Sequence, residues 1–168
     1  YYTAVDDLSG ESGAGMIGDV QFNSSTYYKY LSIHWEQLVE NLGGDATIAR
    51  RAVLALLEAA ATTQPSGKQN SFAAHCLPDL IIVEVRQRNL PVNYGNAFLK
   101  PARQSAERSL TEDAASKLAD YLDRVARAYG LDKDSRGYMS LYDHQLPGEQ
   151  TASLSELQEW LSEHLPEE

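Results

Sequence analysis

The sequence predicts an α+β fold, and three observations carry that expectation. Leu80, Ile81, Ile82 and Val83 form a near-continuous apolar run, the pattern of a central strand buried on both faces. Residues 46–63, 111–129 and 154–165 carry apolar side chains at helical spacing instead. The order strand, helix, strand along the chain fits helices packed on one face of a sheet.

Each element follows from its local residues. Residues 9–15, SGESGAG, read as a Gly/Ser loop. From Val20 to Ile33 β-formers are dense on both alternating faces, which predicts a long strand. HWEQLVENLGG follows as a short helix closed by Gly43 or Gly44. Asp45 caps the next helix, whose stripe is Ile48, Ala49, Ala52, Val53, Leu56, Leu57 and Ala60, with Arg50, Arg51 and Glu58 off it. Pro65 and Gly67 stop that helix before the strand LPDLIIVEVRQ.

In the last third, Ser109 with Glu112 reads as a capping box and Gly130 as a helix end. Leu118, Tyr121, Leu122, Val125 and Tyr129 make the stripe between them. Ser153 with Glu156 repeats the cap signal, ahead of Leu154, Leu157, Trp160 and Leu161 as buried positions. GYMSLYDHQLPGEQ supplies a short strand and a turn.

Composition bounds the function. At 168 residues, 43% hydrophobic, the chain suits one domain with a real core. A net charge of −10 disfavours nonspecific binding to nucleic acid or anionic membrane. The single cysteine, Cys76, permits no internal disulfide and fits a reducing cytoplasm. No apolar run nears the roughly 20 residues of a membrane span, and no signal-peptide pattern is present. The chain opens YYTAVDDL without Met, which reads as a start partway through a larger protein.

Most chemical candidates fail on pattern. Gly67-Lys68 lacks a P-loop's first glycine, carries Gln69 where Ser or Thr would hold magnesium, and follows a helix. His75 and Cys76, as neighbours on a strand, would point apart, so Cys76 reads as a small buried residue. His34, His75, His144 and His164 show no metal-ligand spacing. Asp6-Asp7 reads as an acid pair or as a turn former. The loop PSGKQNSFAAH remains. Lys68, Gln69, Asn70 and Ser71 supply a charge, amides and a hydroxyl, the groups that hold a sugar–phosphate backbone. The residues alone leave that reading open beside a polar surface turn.

Five motifs in order, YYTAVDDL, FNSSTYYKY, QLVENLGG, PSGKQNSFAA and NAFLKP, resemble the C-terminal half of the CasC family, the repeated backbone subunit of the type I-E CRISPR Cascade complex. The resemblance implies a partial ferredoxin-like (RRM-type) antiparallel sheet with packed helices, half of a hand-shaped palm and thumb. It implies a thumb end and loop over 1–15, a palm over 16–100 and a helical extension over 101–168. Tyr1, Tyr2 and Thr3 match the thumb tip, and Lys68, Gln69 and Asn70 match a palm loop that meets the guide. The implied partners are guide crRNA, target DNA paired with it, further copies in a head-to-tail filament, and other Cascade subunits, in the bacterial cytoplasm. No cofactor and no catalysis are implied. The alternative is a metal-dependent RNase of the type III kind using Asp6 or Asp7.

Overall fold

The computed structural model describes residues 25–67, 69, 73–131 and 135–167. Helix α1 (Trp35–Asn41) starts where His34 Nδ1 accepts the Gln37 amide at 3.2 Å. It ends in a Schellman turn. The Gly44 amide reaches back to the Val39 carbonyl and the Gly43 amide to that of Glu40, with φ of 86° and 72° at the two glycines. Helix α2 (Ala46–Thr62) is capped by Asp45, whose carboxylate accepts the Ile48 amide at 2.9 Å.

Strand β1 (Leu80–Val85) pairs antiparallel with β2 (Ser135–Ser140), Leu80 opposite Ser140 and Val85 opposite Ser135. Strand β3 (Glu149–Thr151) lies on the far side of β2 and runs parallel to it, Gly137 opposite Glu149. Helix α3 (Leu110–Tyr129) opens with both halves of the Ser109–Glu112 capping box and closes at Gly130, φ 65°. Helix α4 (Leu154–His164) is capped by Ser153. A 3-10 turn, Gly95–Phe98, lies between β1 and α3. Among the described residues no helix is long and apolar enough to cross a membrane.

Strand alternation sends successive side chains to opposite faces, and here both faces are covered. Ile81, Val83, Val85 and Met139 pack against Leu157, Trp160 and Leu161 of α4 and Val53 of α2. Leu80, Ile82 and Tyr138 pack against Leu118, Leu122 and Val125 of α3, with Tyr94 and Leu146. Leu122 and Leu157, both at 0% exposure, sit at the centres of the two clusters.

The α3 side also holds a nearly buried charge cluster. Glu84 accepts from Arg136 at 2.7 Å and from the Tyr94 hydroxyl at 2.9 Å, and it pairs with Arg86. Burial, then the Glu84 charge, pushes the Tyr94 phenol up to about 12.

Several expectations need correction. The class holds as α+β, but the sheet is mixed rather than antiparallel, because β3 returns alongside β2 in the same direction. The helices lie on both faces, since β1 and β2 are apolar on both. GYMSLYDHQLPGEQ spans parts of two strands rather than one. Residues 25–33 of the expected long strand form no strand. They are held by side chains instead. The Tyr28 hydroxyl accepts the Tyr94 amide at 3.1 Å, its ring lies 5.8 Å from Phe98, and Lys29 Nζ donates to the Ala60 carbonyl.

The buried stripe of α2 is also turned from the expected one. Ile48 and Leu56 are 47% and 42% exposed, whereas Arg50 points inward to the carbonyls of Ser162 and Pro166 at the end of α4. A guanidinium that satisfies helix-end carbonyls can displace an apolar residue from the contact face. Tyr129 is 70% exposed, although Ala126 before it and Leu131 after it are buried in the α3 core.

Two outcomes test this packing. A Cβ on Gly137 would stand 2.6 Å from two ring atoms of Trp160, so Gly137→Ala should destabilise the fold by about 1–3 kcal/mol in urea unfolding. Tyr94 has a raised folded pKa, so its contribution is complete below pH 10, where an unfolded tyrosine ionises. That contribution should be lost as pH rises toward about 12. Tyr94→Phe should therefore make the alkaline fall in unfolding free energy shallower. It should not abolish the fall, because burial raises Tyr28 as well.

Candidate nucleic-acid interface

The loop between α2 and β1 is built on two glutamines. Helix α2 ends at Thr62, and the Thr63 amide still reaches the Ala59 carbonyl. Gln64 Nε2 donates to the Cys76 carbonyl at 2.9 Å, which fastens the two ends of the loop together. Gln69 Nε2 donates to the Pro65 carbonyl at 2.9 Å, and the Gln69 carbonyl accepts the Ala73 amide at 2.8 Å. Ala73 has φ 48°, a left-handed conformation that costs an L-residue roughly 1–2 kcal/mol. The hydrogen bonds that the Ala73 amide donates to the Gln69 carbonyl and the His75 amide to the Ala73 carbonyl help hold it there.

Of the seven residues expected to meet RNA, Gln69 alone lies among the described residues. Its side-chain donor is spent on the loop's own backbone, and its Oε1 is buried with no hydrogen-bond partner. Gln69 thus shapes the loop in this structure. Lys68, Asn70 and Ser71, Tyr1, Tyr2 and Thr3, and the acid pair Asp6 and Asp7 lie outside the described residues.

The flank of the loop corrects two readings. Cys76 is exposed rather than buried. His75 and Cys76 precede β1 in irregular chain, so strand alternation does not govern how they point. The loop does follow a helix and lead to a strand, the reverse of a phosphate-binding P-loop.

A second polar segment went unremarked in the sequence. Between Glu84 and Glu107 there is no acidic residue, while Arg86, Arg88, Lys100 and Arg103 fall inside the interval. The signal was available as a local charge reversal in an acidic chain. The structure pins this connection at several points. Arg86 Nη1 donates to the Leu90 carbonyl at 2.9 Å, Asn93 Oδ1 accepts the Gly95 amide at 2.7 Å, and the Arg103 amide donates to Asp113 at 2.9 Å. Tyr94 is buried at its middle.

A family model described as CT1975-like protein matches residues 1–165. No curated protein matches. Among solved structures, the chain is similar to a chain of a "CRISPR RNA-guided surveillance complex", with 33% identity over 96% of this chain and a TM-score of 0.80. It is similar also to a chain of a "CRISPR RNA-guided surveillance complex, pre-nicking", with 34% identity, 96% of this chain covered and a TM-score of 0.80. The chain spans 62% of the length of the first and 44% of the second. With nearly its whole length matched by the family model, the chain belongs to the CT1975-like family of Cas proteins.

Proposed function

We propose that this chain is part of a backbone subunit that binds the guide RNA of a type I-E CRISPR surveillance complex and has no catalytic role of its own. The observation that carries the reading is the likeness, over 96% of the chain, to chains of guided surveillance complexes. Copies stack head to tail along the guide, and the exposed bases pair with target DNA while the protein holds backbone and shape. Other subunits of the complex complete the assembly.

Coverage of the sheet bears on where RNA would lie. RRM domains stack bases on an open sheet face, but here helices pack on both faces of β1 and β2. Contact therefore falls to loops. Lys68 supplies charge to the guide backbone, Asn70 and Ser71 supply polar partners, and Gln69 keeps the loop in shape. Tyr1 and Tyr2, followed by Thr3, wedge against bases at the thumb tip, where stacking is worth about 1–3 kcal/mol per base. The divisions 1–15, 16–100 and 101–168 are thumb end, palm and helical extension in this reading.

The test uses the full-length protein assembled with guide RNA and its partner subunits. Lys68→Ala with Gln69→Ala should lower guide retention, and Tyr1→Ala with Tyr2→Ala should lower it further, with assembly otherwise intact. Unchanged retention in both would leave a purely structural role. Magnesium-dependent cleavage of complementary RNA, lost on Asp7→Ala, would overturn the non-catalytic reading in favour of an RNase.

A further inference from the structure

We infer that the acid-free connection after β1 is a second contact for a nucleic-acid sugar–phosphate backbone, made by Arg88, Lys100 and Arg103. The inference deepens the proposed function and rests on it.

Most of the other cations are engaged within the fold. Lys29 donates to the Ala60 carbonyl, and Arg50 closes the end of α4. Lys117 pairs with Asp113, Arg127 with Asp123, and Arg86 and Arg136 with Glu84. Arg124 donates to the Asp120 carbonyl and lies over the Tyr121 ring. Arg108 lies within reach of the Ser116 hydroxyl. Among the described residues, the side chains of Arg51, Arg88, Lys100 and Arg103 make no hydrogen bond or ion pair. Three of these four fall in one interval that contains no carboxylate. All three are exposed.

In a chain with 24 acidic residues, ion pairs for exposed cations are easy to form. Three cations left without them, on a connection whose backbone is tied down, are available to an external anion. The neighbours fit the same partner. Gln87, Asn89, Asn96 and Gln104 are exposed amides interleaved with the cations, and side-chain amides with Arg and Lys are the usual donors to phosphate and sugar oxygens. Tyr94, buried and bonded to Glu84, anchors the middle of the connection, so the cations are presented from a fixed base. Nucleic acid is favoured over a free anion because the three cations stand at separate points along the connection, and a line of phosphates offers a partner to each.

The experiment measures binding by the full-length protein as a function of salt, with single-stranded guide-length RNA in one arm and duplex DNA in the other. The variant is Arg88→Gln, Lys100→Gln and Arg103→Gln together. Each lost phosphate contact should shallow the plot of log K against log salt by about 0.7 for a single strand and about 0.9 for a duplex, so the three together should remove about 2 from the slope if the ligand is the single strand and about 2.7 if it is the duplex. A change in the RNA arm assigns the contact to the guide, and a change in the duplex arm assigns it to DNA. Arg88→Lys with Arg103→Lys should keep the wild-type slope and verify that charge, not folding, is read. Arg51→Gln, a free cation on α2, should leave the slope unchanged. Wild-type slopes in both arms for the triple variant, with an unchanged unfolding midpoint, would overturn the inference. Loss of guide retention in Lys68→Ala beside wild-type slopes in the triple variant would leave the proposed function standing without this second contact. The converse result would keep this contact and remove the loop from the guide site.

Discussion

Trp160 occupies the space that a side chain on Gly137 would fill, and this contact brings the C-terminal helix onto the sheet. The ring also stacks on His164 at 4.1 Å and donates its N–H to Glu149 of β3 at 3.1 Å, so one side chain engages β2, β3 and its own helix. Once α4 is seated, α2 can pack against it. Gln158 reaches the Leu54 carbonyl and Arg50 reaches the end of α4 from the opposite side. The loop after α2 starts from that fixed helix and ends at β1, paired to β2. Its two anchor points are therefore set by the packing around Trp160.

Gly137 has a counterpart in the next residue. Tyr138 points to the other face, is 3% exposed, and belongs to the α3 core. Its hydroxyl accepts the Leu146 amide at 3.3 Å and so draws in the chain between β2 and β3. The two cores thus meet back to back across one strand. On the α3 side the burial ends in charge rather than in carbon. Glu84 balances two arginines and holds the Tyr94 hydroxyl, and Tyr94 in turn fixes the connection that bears the unpaired cations. Breaking a buried pair by removing one partner costs several kcal/mol, so this cluster constrains the geometry of the connection.

The acidic balance and a nucleic-acid role are compatible because charge is distributed unevenly. The long helices α3 and α4 carry many of the carboxylates, several of which pair with neighbouring bases or cap helices. A net charge describes the far field of a protein, whereas a backbone contact depends on which cations are near the phosphate and unpaired.

Local chemistry let the sequence alone determine the helices. The Ser109–Glu112 capping box, the Ser153 and Asp45 caps, and the stops at Gly43–Gly44 and Gly130 act within a few residues, and the structure reproduces them. The apolar run at 80–83 likewise marked a strand, but among the described residues it lies at the edge of the sheet, with β2 central. Facing and pairing were decided only in three dimensions. The stretch 25–33 has β-forming residues, but a strand also needs a backbone partner, and here its tyrosine and lysine side chains find partners instead. The stripe of α2 turned because Arg50 is drawn to carbonyls more than 100 residues away in the sequence. Cys76 is exposed, and Gln64 engages it only through its backbone carbonyl. Of the candidate interface, residue types were legible from the sequence. Which cations stay unpaired was not, because that depends on every carboxylate the fold brings near them.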